Sequence, residues 1–314
     1  MQPLFEAIES WVPPEIADLT AIPHGDMPGD RVSIHPEQVK KAGVLFPVLV
    51  KELRKVMSAS PKHRAVVAIC GGSGSGKSGM ASLMAHYLRQ AGVGTYVLSG
   101  DNYPRRIPAE NDAERFRVFR CGGIRGLLTS GLYSDSVQQA LTSLQEQERD
   151  SDPALCEEYP WLETYQKAGR SALAGYLGTN QEQDFDELTG IVSQFKNGAE
   201  SIWLKRMGRT ELALWYEQVD FSQTDVLIIE WTHANSDGYQ GADIPILMNS
   251  TPQETLEYRR SRNRDGGTDS PFVTMVLEIE QRLLDSQAHK AKIILSKKGE
   301  LLTYEQYRQL MAQP

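Results

Sequence analysis

The chain has 314 residues, 40% hydrophobic and 24% charged, an ordinary globular composition with length for one large domain or two modest ones. Its 33 Lys and Arg against 41 Asp and Glu leave a formal charge of −8, so the surface as a whole repels nucleic acid and anionic membranes, and any anion site must be a local basic pocket. Three cysteines without paired spacing, six scattered histidines and no apolar run near ~18 residues argue against a disulfide framework, a metal-ligand motif and a membrane span.

Residues 1–62 read as a helical N-terminal extension. Leu4, Phe5, Ile8 and Trp11 share one helical face, and a second helix starts near Pro36 with Leu45, Val48, Leu49, Leu53 and Val56 as its stripe. A packing role is expected there and no obvious chemistry. Met1–Glu6 lacks the basic start and apolar core of a secretory signal, so a soluble, cytoplasmic protein is expected. The sequence leaves assembly into a homo-oligomer open.

Ala65–Cys70 is a short apolar, β-branched run, and Ser78–Gln90 repeats Met80, Leu83, Met84, Tyr87 and Leu88 at helical spacing before Gly92. Between them stands Gly71-Gly72-Ser73-Gly74-Ser75-Gly76-Lys77-Ser78, which fits G-x-x-x-x-G-K-[ST] in the strand, loop, helix setting that motif requires. Glycines let the backbone close tightly on an anion, so successive N–H groups and a helix N-terminus point at a β-phosphate. Lys77 adds a movable charge between β- and γ-phosphates, and the Ser78 hydroxyl is placed for Mg²⁺. Cys70, before the loop, reads as a small buried residue.

Five apolar runs read as buried parallel strands separated by helices: Ala65–Ile69, Thr95–Leu98, Val226–Ile229, Ile244–Met248 and Lys292–Leu295. The fold class is therefore α/β, a P-loop NTPase three-layer fold with a mainly parallel five-stranded sheet, the helical extension and an inserted cap. Ligands in such sheets bind past the carboxyl ends of the strands, which directs attention to the residues just beyond each run. After the second comes Asp101-Asn102-Tyr103 with Arg105 and Arg106. After the third come Glu230 and His233. After the fourth, a helix closes in Arg259, Arg260, Arg262 and Arg264, then Gly266-Gly267.

The order of these motifs resembles the phosphoribulokinase and uridine kinase family of P-loop kinases, over roughly residues 64–110 and 180–297. The resemblance rests on the phosphate loop, on Asp101-Asn102-Tyr103, and on Asp184-Phe185-Asp186-Glu187-Leu188 followed by Phe195-Lys196-Asn197-Gly198. It continues through a hairpin of Ser201–Lys205 and Thr210–Trp215 around Met207-Gly208, the strand ending in Glu230, and the pairs Arg259-Arg260 and Arg264-Asp265. It implies that Asp101 accepts or orients the proton of an acceptor hydroxyl, and that the arginines form a lid over the transferring phosphate. Two departures stand out. Residues 111–180 are an insertion, rich in aromatics, and the hairpin reads Trp203-Leu204-Lys205-Arg206-Met207-Gly208-Arg209 without a nucleoside-holding Tyr-x-Phe-x-x-x-His pattern.

The expected activity is ATP-dependent phosphoryl transfer to a hydroxyl on a small molecule, a sugar phosphate, nucleoside-like compound or small acid, within a kinase domain spanning 63–314. Asp101, Lys77, Glu230 and Arg264 are assigned to the reaction. The nucleotide falls to Gly71 through Ser78 with Arg259, Arg260 and Arg262, and Mg²⁺ to Ser78 with Asp101 or Glu230 through water. Tyr103, Arg105, Arg106, Lys205, Arg206 and His233 are assigned to the acceptor. Several alternatives stay open. His233 can be a solvated loop histidine. Arg105, Arg106, Arg115, Arg117, Arg120 and Arg125 can grip an anionic acceptor, or pair with Glu110, Asp112 and Glu114 along a helix. Phe116, Phe119, Tyr133, Tyr159, Trp161, Tyr165 and Tyr176 read as the insertion's own core ahead of a stacking platform. A regulatory nucleotide-dependent protein without an acceptor is the alternative function.

Overall fold

The computed structural model describes residues 8–30, 32–208, 213–251, 253–257 and 270–312. The strand carrying the phosphate loop, β1 (Ala65–Gly71), lies centrally between β5 (Val226–Glu230) and β6 (Ile244–Met248), both parallel to it. Outside β5 runs β2 (Thr95–Ser99), and outside β6 runs β7 (Ile293–Leu295), again parallel. The expected runs thus form neighbouring strands of one sheet. An antiparallel pair of residues, β8 (Leu301–Leu302), is added beyond β7, giving the order β2-β5-β1-β6-β7-β8. Two residues are too few to leave any periodic signal.

Helices cover both faces, which is why the strands are apolar at every position rather than alternating. On one side α1 (Pro36–Ala59) and α2 (Lys77–Gln90) bury Leu45, Phe46, Leu49, Met80, Leu83 and Met84 against Val67 and Ile69. On the other, α6 (Phe185–Lys196) and α8 (Tyr304–Met311) pack Phe185, Leu188, Val192 and Tyr307 against Val66 and Ala68. The stripe foreseen for α1 is the one buried: Leu45, Leu49 and Leu53 lie inside, with Val48 and Val56 at its margin.

The first helix expected in the extension takes another form. Ile8–Ser10 is a single 3₁₀ turn, and residues 11–30 and 32–35 contain only one more, Leu19–Ala21. Pro13, Pro14 and Pro23 remove donors and bar helical geometry from the residues before them. Leu4 and Phe5 lie outside the described residues. Trp11 still packs inward, 4.5 Å from Phe46 and 5.2 Å from Tyr87 between ring centres.

Residues 111–180 are mostly helical. They run from α3 (Pro108–Thr129) through α4 (Asp135–Glu146) to α5 (Trp161–Ala174). Phe119, Leu127, Leu162, Tyr165 and Leu173 make an apolar centre that Phe272, Met275, Val276 and Ile279 of α7 (Pro271–Gln287) complete. The aromatic residues other than the exposed Tyr133 therefore build a core, and one helix of the main sheet domain is part of it. α3 and α5 touch through glycines: a Cβ on Gly126 would stand 2.3 Å from Ala168 Cβ, and one on Gly122 2.4 Å from Ala172 Cβ. Gly126→Leu should force these helices apart and lower stability by about 1–3 kcal/mol, read as a shifted urea midpoint. An unchanged midpoint would mean that the two helices are not in close contact. Among the described residues, no helix is long and apolar enough to cross a membrane.

Candidate active site

β1 turns into the loop at Gly71, where a side chain has no room. A Cβ there would lie 2.6 Å from Met248 O of β6 and 2.7 Å from Ser75 Oγ. Gly76 closes the loop at φ +93°, a conformation that favours glycine, and caps α2 without any side-chain hydrogen bond. The first N–H groups of α2 are thus not taken by a capping side chain, the arrangement an anion uses. Gln38 of α1 reaches the same point, its Nε2 donating to Gly76 O at 3.5 Å. Lys77 folds over the loop and donates to Gly72 O at 3.0 Å.

Sheet register sets Ser99, Ile69 and Glu230 in one row at the strand ends. Glu230 Oε1 accepts from Ser99 Oγ at 2.7 Å, and its Oε2 accepts from Ser78 Oγ at 3.0 Å. Burial, and next the charge of Asp101, push the Glu230 carboxyl up to about 7, with Lys77 pulling the other way. Adjacent ligands of an octahedral ion bound at about 2.1 Å are about 3 Å apart. The Ser78 hydroxyl and the Glu230 carboxylate, hard oxygens at that separation, fit a shared site for Mg²⁺.

Asp101 sits at the exposed middle of a turn, Gly100–Asn102, directly after β2. Its neighbours are held on both sides by Asp26, from the N-terminal stretch. Asp26 Oδ1 accepts from Ser99 N at 2.7 Å and from Asn102 Nδ2 at 3.1 Å. Its Oδ2 accepts from Tyr96 OH at 3.0 Å and from Arg206 Nη1 at 2.9 Å. Asn102 Oδ1 in turn accepts from Met207 N of the hairpin, β3 (Ser201–Met207) with β4 (Leu214–Asp220). Gly100 lies under Trp231, so no side chain could stand there. Asp101 is presented by a clamped turn. Nothing in the sequence sets Asp26 apart from Asp18 and Asp30 in the same proline- and glycine-containing stretch.

The clamp reassigns several residues expected to meet the acceptor. Arg206 is buried and bonded to Asp26, Tyr96 and Glu217. Tyr103 is fully buried in the core beside Leu98 and Phe185. Lys205 donates to Pro104 O at 3.1 Å, with Glu187 at 3.9 Å, and burial lowers its pKa. Arg206 and Lys205 tie the hairpin to the turn, and the Tyr103 ring is core. The second limb of the hairpin begins later than the expected Thr210, at Leu214, while Arg209 and Thr210 lie outside the described residues. Arg259, Arg260, Arg262 and Arg264 lie outside them as well.

Five of the arginines after Asp101 are matched with acids. Arg105 meets Asp184 at 3.2 Å, Arg117 meets Glu114 at 2.6 Å, and Arg120 meets Asp150 at 3.1 Å. Arg106 lies 3.9 Å from Glu114 and donates to Tyr176 OH. Arg115 meets Glu182 at 2.7 Å and has Glu280 of α7 at 3.6 Å and Asp112 at 3.7 Å. Of the helical partners expected, Glu114 and Asp112 are met, while Asp184, Asp150 and Glu182 come from far along the chain. His233 is not a solvated loop residue. It is buried, 5.2 Å from Trp231 between ring centres, and burial pushes it down to about 4, leaving a neutral imidazole near Glu182 and Arg115. Glu182 and Glu280 carry no signal in the sequence because neither stands at a strand end.

Comparison with known proteins adds three likenesses. The adenylylsulphate kinase family matches residues 63–112, the phosphate loop and the Asp101 turn. The bifunctional alpha-galactosidase/sucrose kinase AgaSK of Mediterraneibacter gnavus is 36% identical over 269 residues, which is 86% of this chain. The match spans only 23% of that longer protein. The solved D-glycerate 3-kinase of Cryptococcus neoformans is 10% identical, with a TM-score of 0.46 over 86% of this chain and 98% of its own.

Proposed function

We propose that this chain, which belongs to the P-loop kinase family, transfers the γ-phosphate of Mg-ATP to a hydroxyl group of a small carbohydrate. One observation carries the reading. The phosphate loop, the Ser78–Glu230 pair and the clamped Asp101 turn stand together at the adjoining ends of β1, β5 and β2.

Phosphoryl transfer asks a protein for positioning and charge neutralisation. The loop N–H groups bind the β-phosphate, and Lys77 leaves Gly72 O to bridge towards the γ-phosphate. Ser78, with Glu230 directly or through water, would hold Mg²⁺, and the ion would supply charge neutralisation for the phosphates. Asp101 takes the proton of the acceptor hydroxyl as its oxygen bonds to phosphorus, and the bond from phosphorus to the β-phosphate oxygen breaks to release ADP. The lid arginines Arg259, Arg260, Arg262 and Arg264 belong to the same proposal. A carbohydrate is favoured because the 36% identical relative has sucrose kinase in its name, the activity of its two that a phosphate loop serves.

The test is transfer of labelled phosphate from ATP across sucrose, other neutral sugars, a pentose phosphate, a nucleoside and glycerate. Transfer to a neutral sugar is expected, with Lys77→Ala lowering kcat/KM on the order of 10²–10³-fold through lost charge stabilisation. ATP turnover indifferent to every acceptor but altered by a protein partner would replace this reading with the regulatory one.

A further inference from the structure

Glu280 has no part in the transfer machinery, yet it faces it. With Gly72 and Ser73 of the phosphate loop and Ser250, Thr251 and Thr255 beyond β6, it lines a recess beside the loop. Its side chain is 12% exposed. The guanidinium of Arg115 stands 3.6 Å away, too far for a hydrogen bond. Arg115 itself is fixed, because Glu182 receives it at 2.7 Å and is in turn held by Gly178 N and Asn111 Nδ2. In the same recess, Ser250 Oγ is buried, its residue 3% exposed, and has no partner among the described residues. Buried oxygens with unfilled hydrogen-bonding capacity cost stability and are kept where a ligand fills them.

Electrostatics describe that ligand. Glu280 lies beside Gly72 and Ser73 of the phosphate loop, and its carboxyl feels the charges of Lys77 and Asp101. Among the described residues, Asp101, Glu182, Glu230 and Glu280 bring carboxyl groups there beside Lys77 and Arg115, burial pushing Glu230 and Glu280 up to about 7, with His233 neutral. Arg105, Arg106, Arg117 and Arg120 are matched with acids of their own. A hydroxyl group can both donate to a carboxylate and accept from a guanidinium, whereas an ionised phosphate or carboxylate only accepts and would set its charge against Glu280 and Glu182.

We propose that Glu280 and Arg115 form the acceptor-recognition pair of this chain and read neighbouring hydroxyls of an uncharged polyol. Glu280 accepts from one hydroxyl, Arg115 donates to the next, and Ser250 completes the wall. The assignment deepens the carbohydrate kinase reading and rests on it. It makes an inserted helix, α3, and the helix after the lid joint determinants of specificity.

Sucrose, glucose and glucose 6-phosphate are the probes, read by steady-state kinetics and by titration calorimetry on the full chain. The wild type should favour the better neutral sugar over glucose 6-phosphate by about 100-fold in kcat/KM. Glu280→Gln should raise the KM and Kd for that sugar by about tenfold, the scale of one charged hydrogen bond, against a change in the ATP KM of less than about threefold. Glu280→Asp should recover part of the loss, and Arg115→Lys should lose affinity like Glu280→Gln. Use of glucose 6-phosphate as readily as the neutral sugars, a neutral-sugar KM unmoved by Glu280→Gln, or no binding of either neutral sugar overturns the pair. If a neutral sugar binds and Glu280→Gln weakens it tenfold while no phosphate is transferred, the pair stands and the kinase reading fails.

Discussion

Asp101→Asn is expected to lower phosphoryl transfer by about 10²–10⁴-fold, the usual share of a positioned general base. Asparagine keeps the size of the side chain and leaves the anchors of the neighbouring residues in place. Asp26 grips Ser99 N and Asn102 Nδ2, and Trp231 covers Gly100. What is lost is the capacity to take a proton. The substitution also removes one of the charges that raise the Glu230 carboxyl. The measurement is single-turnover transfer at saturating ATP and sugar, with nucleotide affinity determined separately. A loss below about tenfold would leave Asp101 without the role of base. A loss of nucleotide affinity of the same size as the loss of rate would mean that the turn had moved.

Much of this centre is legible in the sequence because its parts are local. The phosphate loop is eight consecutive residues, and a strand buried on both faces announces its own end, where Asp101 and Glu230 stand. The charges around it are harder to read, because pairing is a property of the fold. Arg115 and Glu182 are 67 positions apart, Arg120 and Asp150 30, and Asp26 and Arg206 180. Helical spacing offers Arg115 only Asp112, which it meets at 3.7 Å, while the closer contact at 2.7 Å is the distant Glu182. Tyr103 shows the same limit in another form. Its place in an Asp-x-Tyr element suggests a ligand contact, and the fold uses the ring as core.

Asp26→Ala should be the most destabilising substitution near the site. The Asp26–Arg206 pair is buried, with side chains 9% and 6% exposed, and removing one partner of such a pair costs about 3–5 kcal/mol because the other charge is left inside. A lowered urea midpoint reads this loss. Stability alone would not separate a general role in the fold from a role in presenting Asp101, but the two carboxylate oxygens divide the work. Oδ2 serves the hairpin through Arg206 and Tyr96, and Oδ1 serves the turn through Ser99 and Asn102. Arg206→Met removes the buried charge, so both Asp26→Ala/Arg206→Met and Asp26→Asn/Arg206→Met should regain stability relative to Asp26→Ala. Only the second keeps a side-chain oxygen for Ser99 N and Asn102 Nδ2. Its transfer rate per folded molecule should therefore exceed that of the alanine double variant by about tenfold or more, the worth of the two hydrogen bonds that hold the turn. Equal rates in the two double variants would mean that Asp26 steadies the fold without positioning Asp101.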